Sequence, residues 1–190
     1  DLVNSIADFF SEDERSEYLS FGIPYKKVYF LYGVPGSGKT SSINAIASHF
    51  DCDIHTIPLS TDMDDSKLVE AFSSISGEDS DRQNRKIILI EDIDCIFEDR
   101  KTGDGVKNGV TLQGLLNCMD GFTCIEGGLI FITANKPESL DNAMIRSCRV
   151  DYKLELGYAD KYQTKCMFDR FLPKQSDNFE KFYNSISHLK

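Results

Sequence analysis

The octapeptide GVPGSGKT, residues 33–40, stands between an apolar run, VYFLYG (28–33), and an amphipathic stretch, KTSSINAIASHF (39–50). No other feature of the chain restricts its fold as much. Gly33, four residues, then Gly38, Lys39 and Thr40 complete the phosphate-loop spacing. Gly36 and Gly38 let the backbone curl so that successive N–H groups turn inward on one anion. A helix starting at Lys39 adds the positive end of its dipole. The loop therefore needs a buried strand before it and a helix after it, which commits this part of the chain to an α/β layer structure.

The rest of the chain alternates in the same way. SIADFFSEDERSEYL (5–19) has helical periodicity and heavy surface charge, and GIPYKK breaks it. DIHTIPL (53–59) reads as a second strand and DDSKLVEAFSSI (64–75) as a helix. IILIEDIDCIF (87–97) opens as a third strand, its Ile and Leu run buried on both faces. EDRKTGDGVKNG (98–109) reads as a mobile polar loop. VTLQGLLNCMDG (110–121) is a helix, GLIFITAN (128–135) a fourth strand and VDYKLELG (150–157) a fifth, with helical segments to the end. The expected fold is α/β: a five-stranded parallel sheet covered by helices on both faces.

Lys39 would reach the β- and γ-phosphates of a nucleoside triphosphate, and the Thr40 hydroxyl would bind Mg²⁺. The third strand then ends in three carboxylates, Glu91, Asp92 and Asp94. In phosphate-loop proteins acids at this strand end face the metal and an attacking water, with Lys39 as the nearby cation. Asp94 reads as a helix cap rather than a catalytic group. Asn135, at the end of the fourth strand, is either a turn residue or an amide that orients a water or senses the γ-phosphate. Arg146 and Arg149 are either surface cations or groups that offset charge on a transferring phosphoryl group.

Composition narrows the function further. The formal net charge of −10 argues against a broad nucleic-acid surface. Cys52, Cys95, Cys118, Cys124, Cys148 and Cys166 form no CxxC pair and read as reduced thiols of an intracellular protein. His49, His55 and His188 flank no metal-ligand pattern. The apolar runs are too short to cross a bilayer, and the chain opens on Asp1 without a basic, Ser-rich presequence, as a processed form or a module cut from something longer would.

GVPGSGKT, IILIEDID, FITAN and LDNAMIRSCRVD, in this order, resemble the AAA family of ATPases. GIPYKKVYFLYG, VTLQGLLNCMDG and RVDYKLELGYADKYQTKCMFDRF are similar to its subfamily of mitochondrial chaperones for respiratory complex III, which moves the folded Rieske protein across the inner membrane. The resemblance implies a Walker A loop of Gly33, Val34, Pro35, Gly36, Ser37, Gly38, Lys39 and Thr40, continued by Ser41, holding ATP. It puts Glu91 beside Thr40 as a Mg²⁺ ligand and Asp92 as the base that activates water. Asn135 would be sensor 1. Arg146 and Arg149 would be arginine fingers acting on the ATP of a neighbouring copy, so that the active form is a homo-oligomeric ring working on a protein client. Residues 1–157 would form the ATPase core, and 158–190 the start of a helical lid too short to be complete. By the same resemblance the chain would face the mitochondrial matrix, meeting the inner membrane only through regions it lacks.

Three departures from the family pattern stand out. Ser147 and Cys148 replace Pro-Gly between the two arginines, which affects how Arg149 is placed. The acids run Glu then Asp, as in the subfamily, leaving either carboxylate able to act as base. The segment STDMDDSKLVEAF lacks the aromatic pore residue of peptide-threading members. The rival to an ATPase is a nucleotide-dependent assembly scaffold with little or no hydrolysis. A GTPase is disfavoured: ANKPE echoes the guanine-reading motif, but Cys95 stands where a glycine is required after Asp92.

Overall fold

The computed structural model describes residues 1–60, 62–77, 85–94, 109–120, 126–139 and 150–186. Five strands form one all-parallel sheet in the order β2-β3-β4-β1-β5, with β1 Lys26–Tyr32, β2 Cys52–Thr56, β3 Arg85–Ile90, β4 Gly128–Ala134 and β5 Tyr152–Glu155. β1 pairs along its whole length with β4, from Lys26 opposite Gly128 to Tyr32 opposite Ala134. β3 lies on the other side of β4, so the carboxyl ends of β1, β4 and β3 stand side by side. In open α/β sheets ligands sit outside this edge.

The period-two alternation of strand side chains sorts the apolar runs into two cores. On one face Val28, Phe30, Ile88, Ile90, Ile130 and Ile132 pack with helix α4 (Asp65–Gly77) and helix α5 (Leu112–Asp120) through Leu68, Phe72, Leu115 and Met119. On the other, Tyr29, Leu31, Ile87, Leu89, Leu129 and Phe131 pack with Ile43 and Ile46 of helix α3 (Lys39–Phe50) and Ile6 and Phe9 of helix α1 (Leu2–Phe9). The central strands are thus apolar in both registers, while the edge strands β2 and β5 hold only half-buried and exposed residues.

Local chemistry shifts several expected boundaries. The single N-terminal helical stretch is two helices, α1 and α2 (Glu12–Phe21), because the Ser11 hydroxyl accepts the N–H of Glu14 and restarts the helix. Gly22 at φ 65 closes α2. β2 stops at Thr56 rather than 59: the Ile57 N–H still reaches the Leu89 carbonyl at 2.9 Å, but Pro58 has none to give. β5 is shorter than 150–157, though Asp151 and Leu156 still donate to Val28 and Tyr32 of β1 at 2.9 and 2.7 Å. Thr111 caps α5 by accepting the N–H of Gly114, and its own N–H and hydroxyl donate to the Asp65 carboxylate at the start of α4. A Cβ on Gly114 would lie 2.2 Å from that carboxylate and would push it off Thr111.

Beyond β5, helix α6 (Lys161–Phe171) begins with an Asp160–Gln163 capping box. It packs on helix α7 (Phe179–Ile186) through Phe168, whose ring lies 5.6 Å from Phe179 and 4.9 Å from Phe182. Among the described residues no helix is long and apolar enough to cross a membrane. The loop read at 98–109 lies outside them, apart from Gly109.

Candidate functional site

The loop from Gly33 to Gly38 leaves β1 and enters α3 at the sheet edge. Gly33, Gly36 and Gly38 have φ of 135°, 77° and 94°, conformations that side chains with a Cβ seldom adopt. The reasons differ. A Cβ on Gly33 would lie 2.1 Å from the carbonyl oxygen of Leu156, at the end of β5, whereas Gly36 and Gly38 face open space. Gly38 is the N-cap of α3 and no side chain caps the helix, leaving its first-turn N–H groups without a side-chain acceptor. The Ser37 hydroxyl is buried with no hydrogen-bond partner among the described residues. An uncapped helix end, two glycines opening on free space and an orphan hydroxyl together fit a polyanion. Val34, Pro35 and Ser41 lie along this same curl and first turn.

Lys39, only 7% exposed, gives its ammonium three acceptors: the carbonyls of Gly33 at 2.9 Å and Val34 at 3.2 Å, and the Asn135 side-chain oxygen at 2.8 Å. The Asn135 amide nitrogen donates to Asp92 at 2.9 Å. Asn135 therefore spans β4, connecting the loop lysine to the second acid of β3. On the other side, the Thr40 hydroxyl donates to Glu91 at 2.5 Å. The adjacent acids thus divide: Glu91 pairs with the first turn of α3 and Asp92 with Asn135. Among the described residues no group of three or more His, Cys, Asp or Glu side chains could hold a metal. A divalent ion here would take Thr40 and Glu91 and complete its shell from phosphate oxygens and water, the usual arrangement for Mg²⁺.

Five residues singled out from the sequence, Lys39, Thr40, Glu91, Asp92 and Asn135, come together on this edge. Arg146 and Arg149 lie outside the described residues. Asp94 has a further role across the sheet. It lies at the start of a helical turn after β3, is 3% exposed, and accepts the backbone N–H groups of Asn135 and Lys136. Thr133, 1% exposed, accepts the N–H of Asp92 at 3.0 Å and was not anticipated at all. Its signal was a lone hydroxyl in the apolar run GLIFITA, two residues before Asn135.

A parallel sheet in this order, with a phosphate loop after β1 and acids after β3, the two strands separated by β4, defines the P-loop NTPase class. The model of the ATPase family associated with various cellular activities (AAA) matches residues 29–158, and the chain belongs to that family. Within it, the chain is 37% identical over 187 residues to the probable mitochondrial chaperone BCS1-A of Dictyostelium discoideum, covering 93% of this chain and 42% of that protein. It is 34% identical over 183 residues to the mitochondrial chaperone BCS1 of Homo sapiens, covering 92% and 41%. To the AAA-ATPase At3g50940 of Arabidopsis thaliana it is 33% identical over 181 residues, covering 89% and 39%. The chain thus spans about two-fifths of the length of the curated relatives it matches.

Proposed function

We propose that this chain binds Mg·ATP on the Gly33–Ser41 loop and hydrolyses it as part of a homo-oligomeric ring that remodels or translocates a protein client. The observation that carries the reading is the bridge from Lys39 through Asn135 to Asp92, set beside the separate Thr40–Glu91 pair. One acid is thereby left for the metal and the other for water.

In this reading the loop N–H groups and the α3 N-terminus hold the phosphates, and Lys39 exchanges its carbonyl partners for phosphate oxygens. Thr40 and Glu91 would hold Mg²⁺, which would supply neutralisation of the phosphate charge. Asp92 accepts a proton from the water as its oxygen bonds to the γ-phosphorus and the bond to the β-phosphate oxygen breaks. Asn135, already touching Asp92, orients that water. Arg146 and Arg149 would offset the charge on the ATP of an adjoining copy. Residues 1–157 form the ATPase core of this proposal and 158–190 the start of its lid. The names of the relatives support a chaperone role and a mitochondrial setting.

The test is the rate of phosphate release per chain as protein concentration rises. The proposal requires that this rate climb with concentration. It also requires that Asp92→Asn bind ATP but lose turnover, by on the order of 10²-fold or more for a missing general base. A flat rate near zero despite ATP binding would favour the scaffold reading instead. Turnover that survives Asp92→Asn and falls with Glu91→Gln would exchange the roles of the two acids.

A further inference from the structure

Asp92 and Asn135 come from neighbouring strands, and two side chains with no part in the proposed chemistry tie those strand ends together. Thr133 on β4 accepts the N–H of Asp92, at the end of β3, at 3.0 Å. Asp94, just past β3, accepts the N–H of Asn135 at 3.2 Å on each carboxylate oxygen and the N–H of Lys136 at 3.0 Å. The straps run in opposite senses, one from each strand to the other. Both are buried, where an N–H left without an acceptor is costly. Asp92 also stands at φ 47, a conformation a side chain keeps only when its surroundings enforce it. Packing alone does not call for a hydroxyl at 133, since valine has the same shape.

We propose that Thr133 and Asp94 are positioning residues for ATP hydrolysis, Thr133 acting through the backbone of Asp92 and Asp94 through that of Asn135. The proposal rests on the roles given above to Asp92 and Asn135. Its logic is geometric. The Asn135 amide touches Lys39 with one end and Asp92 with the other, at 2.8 and 2.9 Å. If either strand end slides, one short side chain cannot keep both contacts. Nucleotide binding depends on the loop and α3, which neither strap touches, so the two residues should govern turnover and leave affinity alone.

The experiment uses the full chain with Thr133→Val, Thr133→Ser and Asp94→Asn. For each variant it measures kcat for phosphate release, the Kd for ATP and the urea midpoint. Thr133→Val should lower kcat by roughly 10- to 100-fold, the scale of a reacting group misplaced by about 1 Å. Its Kd should stay within about twofold of the parent, and Thr133→Ser, which restores the acceptor, should recover kcat to the same margin. Asp94→Asn keeps the shape but turns an NH₂ group toward N–H donors, and should reproduce the loss of kcat independently of position 133. Parental kcat in both Thr133→Val and Asp94→Asn would overturn the proposal. So would losses that track the urea midpoint and are not recovered by serine. A parent that releases no phosphate, or one indifferent to Asp92→Asn, would sink the underlying site reading before any strap is cut, and the proposal with it.

Discussion

Replacing Gly33 with alanine should cost stability in a way that the other two loop glycines do not. All three have positive φ, and an L side chain held there loses on the order of 1–2 kcal/mol. At Gly33 a second cost is added, because the new Cβ would lie 2.1 Å from the Leu156 carbonyl oxygen and 2.9 Å from its carbon. These are backbone atoms held by the Leu156 N–H bond to Tyr32, so they cannot swing aside as a side chain would. Forcing them apart costs about 1–3 kcal/mol more and loosens β5 from β1. The sum, roughly 2–5 kcal/mol, is a large part of the stability of an ordinary domain and lowers Tm by some 5–20 °C at about 2–4 °C per kcal/mol. Gly36→Ala and Gly38→Ala meet no atom within 4 Å and carry only the backbone cost. They should stay folded, yet crowd the space where the phosphates would lie. Urea denaturation followed by circular dichroism, beside titration with a fluorescent ATP analogue, reads both quantities. Gly33→Ala no less stable than Gly36→Ala would refute the packing argument, and full ATP binding by Gly36→Ala would refute the assignment of that space to phosphate.

Two other perturbations test separate parts of the structure. Burial raises the Asp151 carboxyl above its ordinary value of 3.8, against the opposing pull of the Val28 N–H and of Lys27 and Lys26. The folded chain therefore holds this proton more tightly than the unfolded one. The resulting stabilisation is complete below 3.8 and fades as pH rises through the folded value. Asp151→Asn, which keeps an acceptor for Val28, should gain on the parent in urea midpoint between that acid range and neutrality; a constant difference would count against it. Arginine action between copies is tested by mixing Arg146→Ala with Lys39→Ala, each inactive alone. Partial recovery of phosphate release is expected, because each copy supplies what its neighbour lacks, and no recovery at any ratio would argue that each site is complete within one chain.

Much of the fold is written in short-range signals. The runs VYFL, IILI and GLIFITA are apolar in both registers, which suits strands covered on two faces, and the intervening helices separate parallel neighbours. The phosphate loop is legible for a similar reason, since its demands on backbone conformation and charge are local and only a few residue types satisfy them. Edge-strand limits were harder to read: β2 and β5 end where a proline or a loss of pairing intervenes, and apolar content alone does not mark those points. The break between α1 and α2 rests on one serine hydroxyl that the helical periodicity masked.

The sequence by itself determined the elements and the chemistry available: a loop for an anion, a lysine, a hydroxyl, two adjacent acids and an amide. Only the tertiary structure decided their pairing. Strand order puts β4 between β1 and β3, so Asn135 reaches Lys39 on one side and Asp92 on the other, while Glu91 goes to Thr40. The same neighbourhood made Asp94 an acceptor for the β4 end, and gave Thr133 a partner 41 residues away in the chain. Hydrogen bonds across a sheet depend on which strands are neighbours and in what register. Those are global properties of the packed chain, and no window of sequence around either residue contains them.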